Sequence, residues 1–477
     1  MNFRMIFKIL GAVLCVEAAC MVPSLLVSLI YQQGDARSFL LSIPVLIIVG
    51  TGLQRIKTVT NNIYTRDGFA IVALGWLMAS IFGALPYVIS GAIPSVIDAL
   101  FESVSGFSTT GASILNDIEA LPRGILFWRS FTQWMGGMGV LILTLAVLPY
   151  VKADTLHIVK AETPGPAPEK FVPKIGQVAK ILYAIYFILT ALEVIFLLAG
   201  GMSLYDALIH AFATAGTGGF SNRNHSVAAY DNLSLEVIIT VFMLLFGINF
   251  THYYSLYKGN LKSVLRDEEL RFYAGTVVAA TILIVLNIYG KIFYSLGEAI
   301  RCSAFQVGAI ITSTGFSTAD YNVWPVFSQC VLLLLMFIGA SAGSTGGGIK
   351  CIRVILLLKI IRREAAKIIH PRAVHTVTIN GKPIAEEILT RVMVFFFLYI
   401  FIIAVSVLAV SLDGKDILSS ATAVIAAIGN IGPGLGAVGP TGSYADFSVS
   451  SKLILSICMI VGRLEIYPIL LLFSTTF

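Results

Sequence analysis

Charge is scarce in this chain. Asp, Glu, Lys and Arg make up 12% of its 477 residues, about half the ~25% share of a soluble protein. The scarcity is also concentrated: windows 9–31, 70–90, 233–250 and 393–412 carry almost none. Apolar runs near 20 residues match the ~30 Å hydrocarbon core of a bilayer. This excludes a soluble globular class and implies an all-α, multi-pass membrane protein. Cysteine is sparse as well. Cys15, Cys20, Cys302, Cys330, Cys351 and Cys458 are scattered, with no pair at metal-ligand or redox spacing, which leaves packing as their use. The histidines (His157, His210, His225, His252, His370 and His375) form no ligand-spaced cluster. There is no Gly-x-Ser-Gly nucleophile, no His-Glu-x-x-His and no pair of aspartates in facing spans, so an intramembrane enzyme is a remote alternative. The net charge of +6 sits mainly in loops, which reads as a topology signal rather than a nucleic-acid surface.

Arg4 and Lys8 precede the first apolar run in the manner of a signal peptide, but Glu17 interrupts the run, which then continues too far. The expectation is a retained spanning helix. Runs 9–31 and 39–54 form a helical pair, and the loop with Arg55, Lys57 and Arg66 faces the cytoplasm. From residue 69 one pattern recurs: spanning helix, half-length apolar segment, glycine-centred loop, spanning helix. The first unit reads 69–90, 96–107, loop 108–113 and 125–150. The second reads 178–198, 204–212, loop 214–220 and 235–257. The third reads 272–289, 296–311, loop 312–318 and a run from Trp324, and the fourth 388–412, 417–427, loop 429–434 and 453–473. The central glycines, Gly111, Gly218, Gly315 and Gly432, recur about every 100 residues. Two spans per unit make the repeats parallel, about an axis along the membrane normal. The chain thus divides into an N-terminal pair (1–68) and pore repeats 69–152, 153–260, 261–370 and 371–477. Basic residues collect between units, among them Lys152, Lys160, Lys170, Lys174, Arg266, Lys350 and Arg353, and 163–168 is a proline-rich linker.

A half-length helix followed by small residues is tolerated in a membrane only where the backbone lines a water-filled path. Four half-helices about one axis enclose a pore, and carbonyls along it replace the hydration shell of K⁺. Glycine is needed because inward-facing carbonyls demand backbone angles that side chains resist. The half-helices direct their C-terminal partial negative charge at the ion. The residues expected to form this filter are Thr110, Gly111, Thr217, Gly218, Thr314, Gly315, Asn430, Ile431 and Gly432. A single Thr-Gly is no evidence, since tight turns and helix contacts use it too; the fourfold recurrence after half-length segments carries the argument. Glu102 and Asp320 fall near the outer mouths, where they would concentrate cations; Arg129 and Gln133 are expected to pair locally.

These segments resemble the Trk/Ktr/HKT superfamily of cation transporters, and within it the bacterial TrkH/TrkG type of membrane subunit. The resemblance rests on 105–112 (SGFSTTGA), 127–139 (FWRSFTQWMGGMG), 218–221 (GGFS), 313–320 (STGFSTAD), 339–350 (GASAGSTGGGIK), 429–436 (GNIGPGLG) and 462–466 (GRLEI). The extra N-terminal pair matches the TrkH type rather than the shorter KtrB type. The resemblance implies K⁺ uptake across the bacterial inner membrane, a homodimer, and a cytosolic TrkA-like regulator that binds NAD(H) or ATP/ADP. Contact with membrane lipid and no contact with nucleic acid are expected. It implies no covalently bound cofactor, K⁺ being the cargo. Glycine at all four filter positions is the K⁺-selective pattern of the family.

Residues 339–348 interrupt the second spanning helix of the third unit. A helix this rich in glycine loses ~1 kcal/mol per Gly relative to Ala. A phosphate loop is excluded, because Lys350 does not directly follow Gly348 and no Ser or Thr follows it; a small-residue helix contact is the competing reading. The reading adopted is an irregular intramembrane segment beneath the filter, which the resemblance implies is a gate containing Gly343, Gly346, Gly347 and Gly348. Arg463, in the last apolar helix with Glu465 two residues on, is a functional candidate by default, although an Arg463–Glu465 pair or snorkelling would also account for it. It is expected to face the pore beneath the filter and contact that segment. A symporter coupled to H⁺ or Na⁺ through Glu193 or Glu465 is the alternative on the same scaffold. If Arg463 is an electrostatic barrier, Arg463→Ala raises K⁺ flux in proteoliposomes; flux and selectivity equal to the parent protein remove that role.

Overall fold

In hydrocarbon every backbone N–H and C=O must be satisfied internally, which a helix does within one segment. The apolar runs are accordingly helical. The computed structural model describes residues 2–58, 65–137, 139, 175–373 and 375–466. Residues 140–150 of the first expected returning helix, the linker 163–168, Lys152, Lys160, Lys170 and Lys174, and positions 467–473 of the last expected helix lie outside the described residues. Among the described residues six helices are long and apolar enough to cross a membrane, or seven if a bent pair counts as one span.

The N-terminal pair is Phe3–Tyr31 and Ala36–Gln54. The two helices cross closely at Gly11 and Gly50, where a Cβ on Gly50 would come within 2.8 Å of the Gly11 carbonyl. Small residues at such crossings are the usual means of packing helices in lipid. After them come four repeats of outer helix, pore helix, loop and inner helix. The outer helices are Thr65–Gly83, Ile175–Ala199, Glu268–Ile288 and Glu386–Val410. The pore helices are Val96–Phe107, Leu204–Gly216, Leu296–Ile311 and Ile417–Ile428.

Three of the four pore helices start on a side-chain cap. Ser95, Ser203 and Asp416 accept hydrogen bonds from the backbone N–H three residues on, and Ser295 holds the equivalent place. Such side chains satisfy one of the orphan donors of a helix N-terminus.

The inner helix of the second repeat departs from the expectation of one uninterrupted span, whereas that of the third breaks where the glycine-rich segment was expected. In the second repeat, Leu233–Phe246 and Phe250–Tyr257 meet at 90° rather than forming one helix over 235–257. The cause is local. Asn249 caps the second segment through Thr251 N–H, and the Gly247 carbonyl is diverted to Ser341 N–H at 3.1 Å. In the third repeat Val326–Ile338 stops at Gly339 and helix resumes at Cys351–Ile369.

A small hairpin, Thr378–Ile379 paired with Lys382–Pro383, turns at Asn380-Gly381, both in the left-handed region, as a two-residue hairpin loop requires. Asn380 docks it onto the start of Glu268–Ile288: its Nδ2 donates to Asp267 Oδ2 at 2.7 Å, and its Oδ1 accepts from Glu268 N–H at 2.9 Å. Burial raises the Asp267 carboxyl, but hydrogen bonds from His252, Leu270 N–H and Asn380 outweigh it and hold the group at about 2. A depressed carboxylate stabilises the fold above its unfolded pKa, and that contribution is lost as pH falls through the folded value. Asp267→Ala should therefore lower stability by about 1 kcal/mol at neutral pH, the usual cost of a lost N-cap. Thermal unfolding of the detergent-solubilised protein checks this: the gap between parent and variant should persist down to the ordinary carboxylate range and close as pH falls towards 2.

Candidate functional site: a ring of backbone carbonyls

The four loops share one backbone design. Each pore helix ends on a residue in the left-handed region: Thr109 (φ 55°), Thr217 (55°), Ser313 (57°) and Asn430 (52°). The next N–H reaches back five residues into the helix: Thr110 to Ser105 (2.9 Å), Gly218 to Ala213 (2.8 Å), Thr314 to Ala309 (2.8 Å) and Ile431 to Ala426 (2.9 Å). This is the Schellman closure of a helix C-terminus. With the N–H turned back into the helix, the carbonyl of each middle residue is left for other partners. The chain then turns left-handed again at Gly111 (φ 80°), Gly219 (73°), Gly315 (78°) and Gly432 (94°).

The loops touch in a closed circuit. A Cβ on Gly111 would fall onto the Gly218 carbonyl oxygen, one on Gly219 onto Thr314's, and one on Gly315 onto Ile431's. One on Gly432 would lie 2.7 Å from the Thr110 carbonyl. Each left-handed glycine therefore packs under the middle carbonyl of the next loop, from the first to the fourth and back. Two constraints meet at these glycines: a positive φ, and a carbonyl where a side chain would begin. The four pore helices bring their C-terminal ends, with their partial negative charge, to this ring.

The circuit corrects the register read from the second loop. Its left-handed glycine is Gly219, not Gly218. Gly218 occupies the middle position held elsewhere by Thr110, Thr314 and Ile431, and Thr217 matches Thr109 rather than Thr110. The run of two glycines made the choice ambiguous by residue type alone. Side chains stitch the other loops. Ser108 bonds to Thr110 at 2.7 Å and Thr312 to Thr314 at 2.8 Å through their hydroxyls. Asn430 Nδ2 donates to Thr110 Oγ1 at 3.0 Å and to the Met459 carbonyl at 2.8 Å.

The irregular segment 339–348 packs against the side of the ring that precedes the glycines. Gly339, Gly343 and Gly348 are left-handed. The Thr345 carbonyl accepts from Thr217 Oγ1 (2.9 Å) and from Arg463 Nη1 (2.8 Å), and Gly347 N–H donates to Ser313 Oγ (2.6 Å). A Cβ on Gly346 would lie 2.8 Å from the Thr312 carbonyl. One on Gly347 would meet the Gly429 carbonyl. Gly343 accepts from Phe250 N–H at 3.0 Å, next to the bend in the second inner helix. Arg463 Nη2 reaches the carbonyls of Gly136 (2.5 Å) and Gly137 (3.1 Å). One guanidinium thus bridges the segment to the inner helix of the first repeat. Glu465 pairs with Arg353. Lys350, grouped above with the basic loop residues, is instead buried beneath the ring, its Nζ bonded to the Gly346 carbonyl.

On the other side the chain beyond the glycines lines a polar cavity of about 160 Å³ that touches Gly111, Gly219, Gly315 and Gly432. Glu102 does not stand at its mouth. Its side chain is 0% exposed and paired with Arg129, itself 2% exposed, at 2.5 Å. Glu102 also accepts from Ser113 Oγ and Ile114 N–H, each at 3.0 Å, while Arg129 donates to the Ser221 carbonyl at 3.0 Å. The pair therefore ties the exits of the first two loops together, which burial of opposite charges makes possible and exposure would not. Asp320 caps a short turn through Asn322 N–H. Arg129 and Gln133, expected to pair locally, instead take partners distant in sequence: Arg129 takes Glu102 and the Ser221 carbonyl, and Gln133 the Gly218 carbonyl and Phe220 N–H.

Removing one partner of a buried ion pair costs about 3–5 kcal/mol, because the other charge is left uncompensated. Arg129→Met should therefore lower the thermal midpoint sharply, and adding Glu102→Leu should recover part of the loss. Equal midpoints for the single and double variants would contradict this role.

The TrkH family of cation transport proteins matches residues 36–477. The Trk system potassium uptake protein TrkH of Salmonella typhimurium is 37% identical, over 100% of this chain and 99% of its own. TrkG of Escherichia coli, carrying the same description, is 33% identical with the same coverage. The crystal structure of the potassium transporter TrkH from Vibrio parahaemolyticus superposes with a TM-score of 0.90 at 34% identity, over 100% of this chain and 99% of that one. Matched in sequence and in fold over its length, the chain belongs to the TrkH family of cation transport proteins.

Proposed function

We propose that this chain is the K⁺-conducting subunit of a bacterial potassium uptake system, passing K⁺ and Rb⁺ in preference to Na⁺. The observation that carries the reading is the closed circuit of Thr110, Gly218, Thr314 and Ile431 carbonyls packed on the four left-handed glycines. A ring of carbonyl dipoles replaces the hydration shell of a cation, and four helix C-termini favour positive charge there. The relatives' description as potassium uptake proteins supports K⁺ as the cargo.

In this reading segment 339–348 is the gate. It lies directly under the ring, and its Thr345 carbonyl is shared by Thr217 and Arg463. Arg463 and Lys350 hold the Thr345 and Gly346 carbonyls of this segment, so opening requires the segment to move with them. The bend at Asn249 and the Glu269 carboxylate, which accepts from Ala342 N–H (2.7 Å) and Ile352 N–H (3.1 Å), are the anchors through which a partner could pull it. The Trk system naming of the relatives supports a TrkA-like cytosolic regulator; NAD(H) or ATP/ADP as its ligand, a homodimeric assembly and the bacterial inner membrane as the location complete the proposal. A proton- or Na⁺-coupled symport is a second reading, favoured by Glu193, which is fully buried on the outer helix of the second repeat.

Purified protein in proteoliposomes should take up K⁺ and Rb⁺ well ahead of Na⁺ and Li⁺. Gly315→Ser places a Cβ against the Ile431 carbonyl at a positive φ and should reduce the K⁺-to-Na⁺ uptake ratio by at least about tenfold, for a cost of ~1.4 kcal/mol or more. An unchanged ratio would remove the ring from the ion path. Uptake that follows an imposed pH or Na⁺ gradient at fixed voltage would favour the coupled reading.

A further inference from the structure

The second loop is the weak member of the ring. Its middle residue is Gly218, where the others have Thr110, Thr314 and Ile431, and it is followed by another glycine. A Gly-Gly pair has more conformational freedom than any other dipeptide, so this carbonyl should be the least defined of the four. Yet the space a side chain would fill is occupied. A Cβ on Gly218 would come within 2.5 Å of Gln133 Nε2 and 2.7 Å of its Oε1. Gln133 belongs to the inner helix of the first repeat, Arg123–Gly137, and its side chain is fully buried. Its Nε2 donates to the Gly218 carbonyl at 2.8 Å, and its Oε1 accepts from Phe220 N–H at 3.0 Å. The amide therefore spans the left-handed Gly219 and grips the loop on both sides of it. One turn earlier on the same helix, Arg129 holds the Ser221 carbonyl at 3.0 Å and lies over the Phe220 ring at 3.5 Å from its centroid.

We propose that Gln133 is the positioning residue that sets ion discrimination in this ring: its side-chain amide fixes the Gly218 carbonyl, in place of the side chain this loop lacks. A carbonyl oxygen has two lone pairs. One is taken by Gln133, which leaves the other for the ion and fixes the angle at which it is offered. Without the amide the Gly-Gly loop is free to close on a smaller cation or to rotate its carbonyl out of the ring. Selectivity for K⁺ then depends on a residue outside all four loops. This inference rests on the reading of the ring as the ion path, and its test separates the two.

The readout is the ratio of Rb⁺ to Na⁺ uptake in the same proteoliposomes, which is independent of the amount of folded protein. Gln133→Leu removes both hydrogen bonds. Gln133→Met, close to it in volume and without a donor, does the same and so decides the matter if the leucine variant does not fold. Each should lower the ratio about tenfold, as loss of one buried hydrogen bond to the ring implies. Trp128→Phe, which deletes the Trp128 Nε1 bond to the Gly83 carbonyl (3.0 Å) from the same helix, should lower the thermal midpoint and leave the ratio unchanged. A parental ratio in the Gln133 variants, with a reduced ratio in Gly315→Ser, overturns the role of Gln133 alone. A parental ratio in Gly315→Ser as well overturns the ion-path reading. An equal fall in Trp128→Phe reduces Gln133 to a general structural contact.

Discussion

Four glycine α-carbons bearing four carbonyl oxygens are the contact on which the rest of this molecule is arranged. Each loop can close on its neighbour only because Gly111, Gly219, Gly315 and Gly432 have no side chain and accept a positive φ. The Schellman closures return four N–H groups to the pore helices, and this frees the carbonyls without orphaning donors, which a low-dielectric interior would penalise. The caps at Ser95, Ser203 and Asp416 fix the far ends of the same helices. Repetition of the device satisfies all four loops at once and aligns four helix dipoles on one point.

The symmetry is that of the backbone, not of the side chains. The first and third loops are braced by hydroxyl pairs, the fourth by Asn430 and by Tyr444, whose hydroxyl donates to the Gly432 carbonyl at 2.7 Å, and the second by an amide from another repeat. The glycine-rich segment is asymmetric too. It comes from one repeat only and meets the residues before the ring in the second, third and fourth loops. In the proposed function, one segment seated under these loops opens or closes the path without rearranging the ring, so that choosing an ion and releasing it are separate tasks.

Much of this was legible in the sequence, because it depends on features residue types announce. Scarce charge and apolar run length indicate spans, and small residues after half-length runs indicate re-entrant loops. The register of the second loop was also available, though from a signal other than glycine. Thr109, Thr217 and Asn430 each lie fourteen residues after their caps Ser95, Ser203 and Asp416. Counting from the caps pairs Thr217 with Thr109 and makes Gly219 the left-handed residue. The third repeat hides this rule, since its pore helix is about a turn longer and eighteen residues separate Ser295 from the left-handed Ser313. What local pattern could not show were partners distant in sequence: Glu102 with Arg129, Glu465 with Arg353 rather than Arg463, and Lys350 buried rather than facing solvent. Such pairings are decided by tertiary packing, and a charge near a helix end looks the same in sequence whether it faces water or a buried partner.

The most direct test of the central claim is anomalous diffraction from crystals of the protein grown in Rb⁺. The account predicts an Rb⁺ peak on the axis within coordination distance of the Thr110, Gly218, Thr314 and Ile431 carbonyls, lost when Na⁺ replaces Rb⁺. Rb⁺ bound elsewhere, with the ring unoccupied, would contradict it.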